Sequence, residues 1–276
     1  MSIISKICGS LEARLNQPRL RILRTIYFNF RTLPFSQAIK LPVYIYGKVR
    51  LYMLNGSIEF RNTEIKRGMV KIGVNADSFN LFDGSGFISL TASNSKIIFN
   101  GPARIALNTK IRVVADGVLT IGKNSRIGSG ASVICNGGRV EIGDFTGITW
   151  GCVVMNSSFH NVYDSNKGGY VKPTRDIHIG SFCWIGNRST IYAGAYIPDY
   201  TISTATSYIN KNFKEYEGSR ITLAGTPAKK IGEGVSRVFS PQLELELYNW
   251  FQSNPEQQIR LCDKMKDDYE DINVEM

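Results

Sequence analysis

The middle of the chain repeats every six residues. From Ile121 it reads IGKNSR, IGSGAS and VICNGG, and from Ile142 it reads IGDFTG, ITWGCV and VMNSSF. After a gap it resumes at Ile179 as IGSFCW, IGNRST, IYAGAY and IPDYTI. Each unit opens with Ile or Val, frequently followed by Gly. A period of six matches neither the 3.6 residues of a helix nor the two of a simple strand.

A six-residue period predicts a triangular coil, in which each face is a short strand with one apolar residue pointing inward. Three faces make a coil of about eighteen residues, and stacked coils pair their strands in parallel around a column of Ile, Val and Leu. The Gly after each aliphatic residue is expected to allow backbone conformations that Cβ-bearing residues disfavour. The alternative is a β-sandwich with fortuitous spacing, which ten near-regular hexads disfavour.

The composition is that of a soluble protein with a core, since 43% of the residues are hydrophobic and 20% are charged. The apolar stretch Leu41 to Gly47 is far shorter than a membrane-spanning helix. The first ten residues lack the apolar region and cleavage motif of a signal peptide, so we expect a cytoplasmic protein.

The five cysteines are scattered without CxxC pairs, which indicates reduced thiols with neither a disulfide framework nor a zinc cluster. The net charge of +10 invites a nucleic-acid interpretation. Its aromatic and basic residues do not interleave as in a known binding module, so no nucleic-acid partner is expected. A basic surface equally suits an anionic cofactor, a phosphorylated substrate or an acidic membrane face.

Three regions are predicted: an amphipathic helical segment at 1–35, a β-solenoid at 36–235 and a helical extension at 236–276. Within the solenoid, Leu41 to Ile111 has alternating strands with a looser period, which we interpret as irregular coils of the same fold. Pro241 to Asp271 is interpreted as a helix that caps a coil or contacts another subunit.

The segment from Leu11 to Phe30 combines aliphatic residues with four arginines, and Pro18 should interrupt or start a helix there. One interpretation is a basic amphipathic segment that lies on the anionic inner face of a membrane. The other interpretation is a helix that caps the open end of the solenoid.

The hexads stop at Phe159 and resume at Ile179, and the polar, Gly-containing loop between them (159–178) is a candidate active-site loop. His160 stands where this loop leaves the coil. Histidine side chains titrate near neutrality, which suits a general base that takes a proton from a hydroxyl. The other histidine, His178, lies between two aliphatic residues of the resuming strand and is expected to point outward in a structural role.

Two downstream segments are typical of a family. WIGNRSTIYAGAYIP begins at Trp184, and LAGTPAKKI spans Leu223 to Ile231. With the hexads and SFHNVYD around His160, they make the sequence resemble the hexapeptide-repeat acyltransferases over roughly Ile72 to Ile231. The resemblance implies a left-handed parallel β-helix, an exception to the usual crossover hand, and acetyl-CoA as co-substrate without a metal.

The resemblance also implies roles for particular residues. His160 would be the general base, and Asn187 would lie near the thioester and help to stabilise the oxyanion. Trp184 would wall the pocket and Ala205 would lie along the pantetheine arm. The nucleotide end would meet Lys211, the turn Gly225, Thr226 and Pro227, and the phosphate-binding Lys229 or Lys230. Trp150 and Asp164 are candidates for contact with the acceptor.

The sequence also departs from the family pattern. Relatives often carry carboxylates before the histidine, where this chain has Asn156 and Ser158, so the group that orients the imidazole is unassigned and Asp164 is a weak candidate. Ser203 replaces an aliphatic residue expected at a coil corner. The connection that leads to LAGTPAKKI is longer than usual.

The resemblance predicts an O-acetyltransferase that acts on a saccharide or lipid-linked saccharide in surface polysaccharide (capsule, colanic-acid or O-antigen) biosynthesis. Its site would lie between subunits of a homotrimer. An N-acyltransferase for an amino sugar nucleotide and a non-catalytic scaffold are the alternatives. Serine acetyltransferase is disfavoured because the short N-terminal segment does not match that enzyme's helical domain. Two histidines cannot supply the three zinc ligands of the γ-class carbonic anhydrases, which share this fold.

Overall fold

A computed structural model describes residues 17–75 and 84–262 of the protein. The chain divides into two compact units, 1–235 and 236–276. Within the first unit, short parallel strands form three sheets, and consecutive strands step from one sheet to the next. No described helix is long and apolar enough to cross a bilayer.

The strands are named in chain order. The first sheet contains β1 (Val43–Ile45), β4 (Val70–Val74), β7 (Ala103–Ala106), β10 (Ser125–Ile127), β13 (Gly147–Ile148), β18 (Trp184–Ile185), β21 (Ile202–Ser203), β23 (Ile221–Gly225) and β24 (Ala228–Glu233). The second contains β2 (Arg50–Leu54), β5 (Phe87–Leu90), β8 (Lys110–Val114), β11 (Ser132–Asn136), β14 (Val153–Met155), β19 (Thr190–Tyr192) and β22 (Tyr208–Ile209). The third contains β3 (Ser57–Phe60), β6 (Lys96–Phe99), β9 (Val118–Ile121), β12 (Arg139–Ile142), β17 (Ile177–Ile179) and β20 (Tyr196–Ile197).

The strand register confirms the predicted solenoid. Thr190 pairs in parallel with Tyr208, eighteen positions later, and Trp184 pairs with Ile202 at the same interval. The first aliphatic residues of the hexads, such as Ile142 and Ile179, are buried in one continuous core. A triangular coil of eighteen residues is the form that hexads give to a left-handed parallel β-helix. We call the turns between first and second, second and third, and third and first sheets the first, second and third corners.

Glycine occupies these hexad positions for a different physical reason from the one expected. Gly143, at the third corner, and Gly186, at the first, do not adopt left-handed φ angles. A Cβ on Gly143 would instead lie 2.5 Å from the carbonyl carbon of Gly180 in the next coil. At Gly186 it would lie 2.5 Å from the carbonyl oxygen of Ser203. The expectation of unusual backbone conformation is therefore wrong, and close approach of successive coils explains these glycines.

Three aromatic residues at the third corner adopt left-handed backbone conformations. Phe145, Phe182 and Tyr200 have φ angles of 54°, 56° and 59°, a region that costs L-residues about 1–2 kcal/mol each. Their rings form a parallel stack with centroids 5.0 and 4.9 Å apart. The Lys123 ammonium and the Arg220 guanidinium lie over the two ends of the stack, at 5.9 and 4.6 Å. Ring stacking and cation–π contacts thus offset the backbone cost.

Helix α1 (Ile22–Thr32) covers the free edge of the first sheet, and the short helix α2 (Phe35–Ala38) follows it. Thr25 Oγ1 accepts a hydrogen bond from the Ile45 N–H at 3.0 Å. Asn29 accepts from the Val43 N–H at 3.1 Å and donates to the Val43 carbonyl at 2.7 Å. From Ile22 onward, this segment therefore caps the end of the solenoid at β1, as one of the two interpretations predicted. The part before residue 17 lies outside the described residues.

The far end of the solenoid is reached through a 3₁₀ turn at Lys214–Tyr216. Strands β23 and β24 then form an antiparallel hairpin that ends the first sheet. In the second unit, helix α3 spans Pro241–Ser253. Ser240 caps it by accepting from the Leu243 N–H at 3.2 Å. The expectation of a helix to Asp271 is wrong, because Pro255 disfavours helical backbone at the preceding residue; residues 263–276 lie outside the described range.

Three cysteines are buried, and burial raises the pKa of their thiols. It raises the pKa of the Cys135 and Cys183 thiols to about 12, and it also raises the pKa of Cys152. Cys262 is exposed, and Cys8 lies outside the described residues.

In a Cys8→Ser variant, native alkylation with iodoacetamide is therefore expected to modify only Cys262, and unfolding is expected to expose the other three thiols. Mass spectrometry of the modified peptides checks this result. Native modification of Cys183 as fast as Cys262 would contradict the described burial.

The same burial makes stability depend on pH. Since folding raises the pKa values of these thiols, the folded state retains protons that the unfolded state loses. The free energy of unfolding should therefore fall as the pH rises above about 8.5.

Candidate active site

A hairpin interrupts the hexads at the second corner. It comprises β15 (Val162–Asp164) and β16 (Gly169–Val171), which pair in antiparallel register. Its base is tied together by a hydrogen bond of 3.2 Å from the Ser158 N–H to the Pro173 carbonyl. The Arg175 N–H likewise donates to the Asn156 carbonyl at 3.0 Å. The predicted loop is thus a hairpin whose base is anchored to the rigid coil.

Asn156 and Ser158, which the sequence analysis contrasted with carboxylates, build this base. Asn156 is fully buried, accepts from the Asn136 N–H at 2.8 Å and donates to the Gly137 carbonyl at 2.8 Å. A carboxylate could not make the second bond, because it has no proton to donate. Ser158 donates to the backbone carbonyl of His160 at 2.8 Å. Asn156 therefore secures the corner, while Ser158 secures the backbone of the residue proposed as the base.

The His160 side chain is exposed at the root of the hairpin, directly after Phe159 in left-handed backbone. In the described part of the chain, no group forms a hydrogen bond to its imidazole. The imidazole is therefore accessible to a hydroxyl brought from outside this chain. The orienting group that the sequence left unassigned is likewise not supplied by any described residue.

Asp164 serves the hairpin turn. Its carboxylate accepts from the N–H groups of Asn166 and Lys167 at 3.0 and 3.3 Å, and it pairs with the Lys167 ammonium at 3.2 Å. The side-chain bond from Lys167 is the main reason why the pKa of Asp164 is lowered. No described contact joins Asp164 to His160, so the carboxylate stabilises the turn and not the imidazole.

His178 points outward from the third sheet, as expected. Its Nδ1 lies 3.2 Å from a Glu141 carboxylate oxygen, and its ring stacks on Tyr196 with centroids 4.4 Å apart. The Tyr196 hydroxyl donates to Glu217 at 2.8 Å, and this bond raises the tyrosine pKa to about 12. Glu141, His178 and Tyr196 line a groove of about 320 Å³. His178 is thus held by its neighbours, in contrast to His160.

A second group of predicted residues lies at the first corner. The Arg188 N–H donates to the Trp150 carbonyl at 3.0 Å, and the Thr206 N–H donates to the Asn187 carbonyl at 2.8 Å. The Thr226 hydroxyl contacts the Thr206 carbonyl at 3.4 Å. Successive coils therefore align Trp150, Asn187, the exposed Ala205 and the LAGTPAKKI turn in one column.

This column contains a cation that the sequence analysis missed. Arg188 adopts left-handed backbone, and its guanidinium carbon lies 4.7 Å from the Trp150 ring centroid. No local sequence signal pointed to this contact, because the two residues are 38 positions apart and only the stacking of coils joins them. Trp184 lies one strand earlier, on the outer face of the first sheet, and is 39% exposed. Ser203 is buried and accepts from the Gly186 N–H at 3.0 Å, so its hydroxyl replaces the expected aliphatic contact by a hydrogen bond.

The turn Gly225, Thr226 and Pro227 joins β23 to β24 and is exposed, with a cis peptide bond before the proline. Gly225 has a φ of 101°, which side chains disfavour.

The two lysines after this turn differ. Lys230 pairs with Glu233 at 2.6 Å and lies over the Tyr216 ring at 4.8 Å. Lys229 is exposed and has no carboxylate partner among the described residues. Lys229 is therefore the more available cation for a phosphate.

Within one chain, the predicted residues fall into two groups. Lys211 is exposed at the second corner, where its carbonyl accepts from the Tyr196 N–H at 3.2 Å, and His160 leaves the same corner. Asn187 and Ala205 belong to the first corner, and the Gly225 turn adjoins it through the contact between Thr226 and Thr206. The second sheet separates the two groups, so one chain does not bring His160 together with Asn187.

Comparison with known proteins gives a limited picture. No protein-family model matches the chain. The polysialic acid O-acetyltransferase of Neisseria meningitidis is 28% identical over 80 residues, which are 29% of this chain and 37% of that protein. The matched stretch thus spans little more than a third of the relative. It confirms the resemblance to sugar acetyltransferases noted from the sequence.

Solved structures give weaker likenesses. The polysialic-acid-specific acetyltransferase NeuO has a TM-score of 0.47 at 19% identity, covering 79% of this chain and 95% of that one. The polysialic acid O-acetyltransferase OatWY has a TM-score of 0.41 at 18% identity, covering 74% and 98%. AntD, an N-acyltransferase from Bacillus cereus bound to dTDP and coenzyme A, has a TM-score of 0.42 at 19% identity, covering 77% and 89%. These TM-scores are too low to support conclusions about substrate or assembly.

Proposed function

We propose that the protein is an acetyl-CoA-dependent O-acetyltransferase that modifies a hydroxyl of a saccharide. The observation that carries the proposal is the exposed His160 imidazole, which is rooted on a rigid corner and has no hydrogen-bond partner in the described chain. A histidine available in this way suits a general base. The neighbouring His178, by contrast, is engaged by Glu141 and Tyr196.

In the proposed reaction, His160 accepts the proton of the acceptor hydroxyl while that oxygen attacks the thioester carbonyl. The resulting oxyanion is stabilised by backbone N–H groups with help from the Asn187 side chain. Collapse of the intermediate breaks the carbon–sulfur bond, and the CoA thiolate takes the proton from the imidazolium. The products are the acetyl ester and CoA, so no covalent enzyme intermediate and no metal is required.

The first corner is proposed to hold the donor. Trp184 would wall the thioester pocket, and Ala205 would lie along the pantetheine arm. The Gly225, Thr226 and Pro227 turn would adjoin the adenine. Lys229, rather than the paired Lys230, would bind a phosphate of the CoA nucleotide. Lys211, which lies at the second corner, would bind the phosphates as well.

We further propose a homotrimer in which the second corner of one subunit faces the first corner of the next. The division of the predicted residues between two corners of one chain supports this arrangement. It would place the partner's donor pocket opposite His160, with Trp150 available to the acceptor. The Arg188 guanidinium over Trp150 would add a positive charge beside the bound sugar or CoA.

The acceptor is proposed to be a saccharide or lipid-linked saccharide of surface polysaccharide biosynthesis, modified in the cytoplasm. The sequence match to a polysialic acid O-acetyltransferase supports this class. Release of CoA from acetyl-CoA, measured with a panel of polysaccharide fragments, sugars and amino sugar nucleotides, tests the proposal. Release only with amino sugar nucleotides would indicate N-acylation. No release and no stabilisation by acetyl-CoA would favour a scaffold.

Substitution of Ala205 provides a sharper test of the donor site. Ala205 is exposed at the first corner, so a large side chain there should leave the fold intact and block the pantetheine arm. We expect Ala205→Trp to raise the KM for acetyl-CoA about tenfold or more, and Ala205→Ser to leave it near wild type. Initial rates at varied acetyl-CoA concentration measure both effects. Equal KM values for the two variants would place the donor elsewhere.

A further inference from the structure

Helix α1 is amphipathic in the opposite sense to an ordinary surface helix. Its buried face consists of Thr25, Phe28, Asn29 and Thr32, three of which are polar and two of which bond the edge of β1. Its large apolar side chains are exposed instead: Ile22 by 65%, Leu23 by 83%, Ile26 by 41%, Tyr27 by 55% and Phe30 by 45%. At 100° per residue these five lie on one side of the helix, away from the buried residues.

Helix α2 extends this surface. Phe35 is 73% exposed, and its ring meets that of Phe30 edge to face with centroids 5.8 Å apart. We call Ile22, Leu23, Ile26, Tyr27, Phe30 and Phe35 the apolar face. Contiguous exposed apolar surface of this kind marks an interaction site.

The stretch of chain that carries the apolar face is rich in basic residues. Residues 17–58 include no Asp or Glu and seven basic residues: Arg19, Arg21, Arg24, Arg31, Lys40, Lys48 and Arg50. None of the seven pairs with a carboxylate of the described chain. The Arg21 and Arg24 side chains donate to the neutral carbonyls of Gly47 and Val49, so no carboxylate of residues 17–75 and 84–262 compensates their charges.

Cations and apolar groups share one depression. A groove of about 660 Å³ is lined by Arg21, Arg24, Lys48 and Arg50, together with Leu20, Ile22 and Leu23. An anionic group held there by the cations would lie beside the apolar face. This combination matches the boundary of a bilayer, where phosphate headgroups adjoin acyl chains.

We infer that the apolar face and its cations dock the protein on a bilayer containing anionic lipid. The apolar side chains enter the headgroup boundary while the arginines and lysines contact lipid phosphates. An eleven-residue helix is too short to span the bilayer, so it lies along the surface. A second copy of this chain is a poor occupant, because it would bring seven further cations against the first seven.

The surface is separate from the residues proposed for acetyl transfer. It lies on the two helices that precede the first coil of the solenoid, whereas His160 and the donor residues belong to later coils. The inference therefore does not depend on the proposed function, and its test does not require activity.

Co-sedimentation of the full chain with vesicles tests the inference. We expect binding to vesicles of phosphatidylcholine with phosphatidylglycerol, little binding to phosphatidylcholine alone, and weakening as salt is raised. Leu23→Ser with Ile26→Ser should weaken binding to the anionic vesicles about tenfold or more, since both side chains are exposed in the free protein. The matched control is Leu245→Ser with Tyr248→Ser, two residues of similar exposure on α3, which should bind like wild type.

A second variant separates charge from apolar contact. Arg19→Gln with Lys48→Gln removes two exposed cations and is expected to weaken binding to anionic vesicles about tenfold while lowering the salt dependence. No binding to either vesicle, or equal binding to both, would overturn the inference. So would a concentration-dependent dimer that Leu23→Ser abolishes, because the occupant of the face would then be a second copy. Circular dichroism and the melting temperature confirm that each variant is folded.

Discussion

Replacing His160 by alanine is expected to lower kcat/KM for acetyl transfer by about 10²- to 10⁴-fold, the usual contribution of a general base. The imidazole is exposed and makes no described hydrogen bond, so its removal should leave the fold unchanged. The Ser158 hydroxyl, which bonds the backbone carbonyl of His160, keeps its partner in the variant. Acceptor-dependent CoA release measures the rate, and the melting temperature should match that of wild type.

The other histidine supplies an internal control. His178→Gln removes an imidazole that is held by Glu141 and Tyr196 on the third sheet, whereas His160 lies on the hairpin. We expect its rate of CoA release to stay within a few-fold of wild type. A collapse of activity in His178→Gln with a normal rate in His160→Ala would transfer the role of base to the groove around Glu141. Normal rates in both variants would mean that no histidine acts as the base.

Gly143→Ala is expected to destabilise the solenoid by about 3 kcal/mol or more, beyond the usual range for overpacking a core with methylenes. The added Cβ would lie 2.5 Å from the backbone of Gly180 and Ser181 in the next coil. Backbone cannot move aside as a flexible side chain does, so the coils would have to separate and weaken the bond of 2.8 Å from the Gly143 N–H to the Ile179 carbonyl. Urea unfolding monitored by circular dichroism measures the change.

The matched control is Gly232→Ala in β24. Gly232 also has ordinary φ, but a Cβ there would meet nothing within 4 Å. We expect its free energy of unfolding to stay within about 0.5 kcal/mol of wild type, as at other unconstrained surface positions. Similar losses in the two variants would show that helical or strand preference, and not contact between coils, explains the hexad glycines.

The fold could be predicted because each hexad by itself indicates a short strand and a turn. An aliphatic residue every six positions, as at Ile121, Ile127 and Val133, permits only a short inward-facing strand and a turn, and all three residues are buried. The outward position of His178 follows from the same alternation. The looser coils before Ile111 were recognisable because β-branched and aromatic residues still alternate there.

Features that depend on contacts between coils could not be predicted. The repeat shows that glycine recurs in the hexads but not what lies beside it, so the close approach of the next coil does not follow from the sequence. The Arg188–Trp150 contact joins residues 38 positions apart in sequence, and only the stacking of coils brings them together. The end of α3, by contrast, is a local feature that the sequence does indicate, because Pro255 disfavours helical backbone at Asn254.

The division of the candidate site was partly foreseeable. The resemblance implied a site between subunits, and the structure places His160 and Asn187 at different corners of one chain. The role of Asn156 could not be predicted, since the need for a hydrogen-bond donor arises from the Gly137 carbonyl in the preceding coil.

The polar face of α1 has a consequence for how the protein behaves at high concentration. A parallel solenoid can in principle lengthen without limit, since the last strand of one molecule offers the next the same row of N–H and C=O groups. Thr25 and Asn29 occupy that row on β1 by bonding Ile45 and Val43. The antiparallel β24 turns the chain away from the stacking direction at the other end. The two polar side chains of one short helix therefore close this edge of the first sheet to strand addition by another molecule.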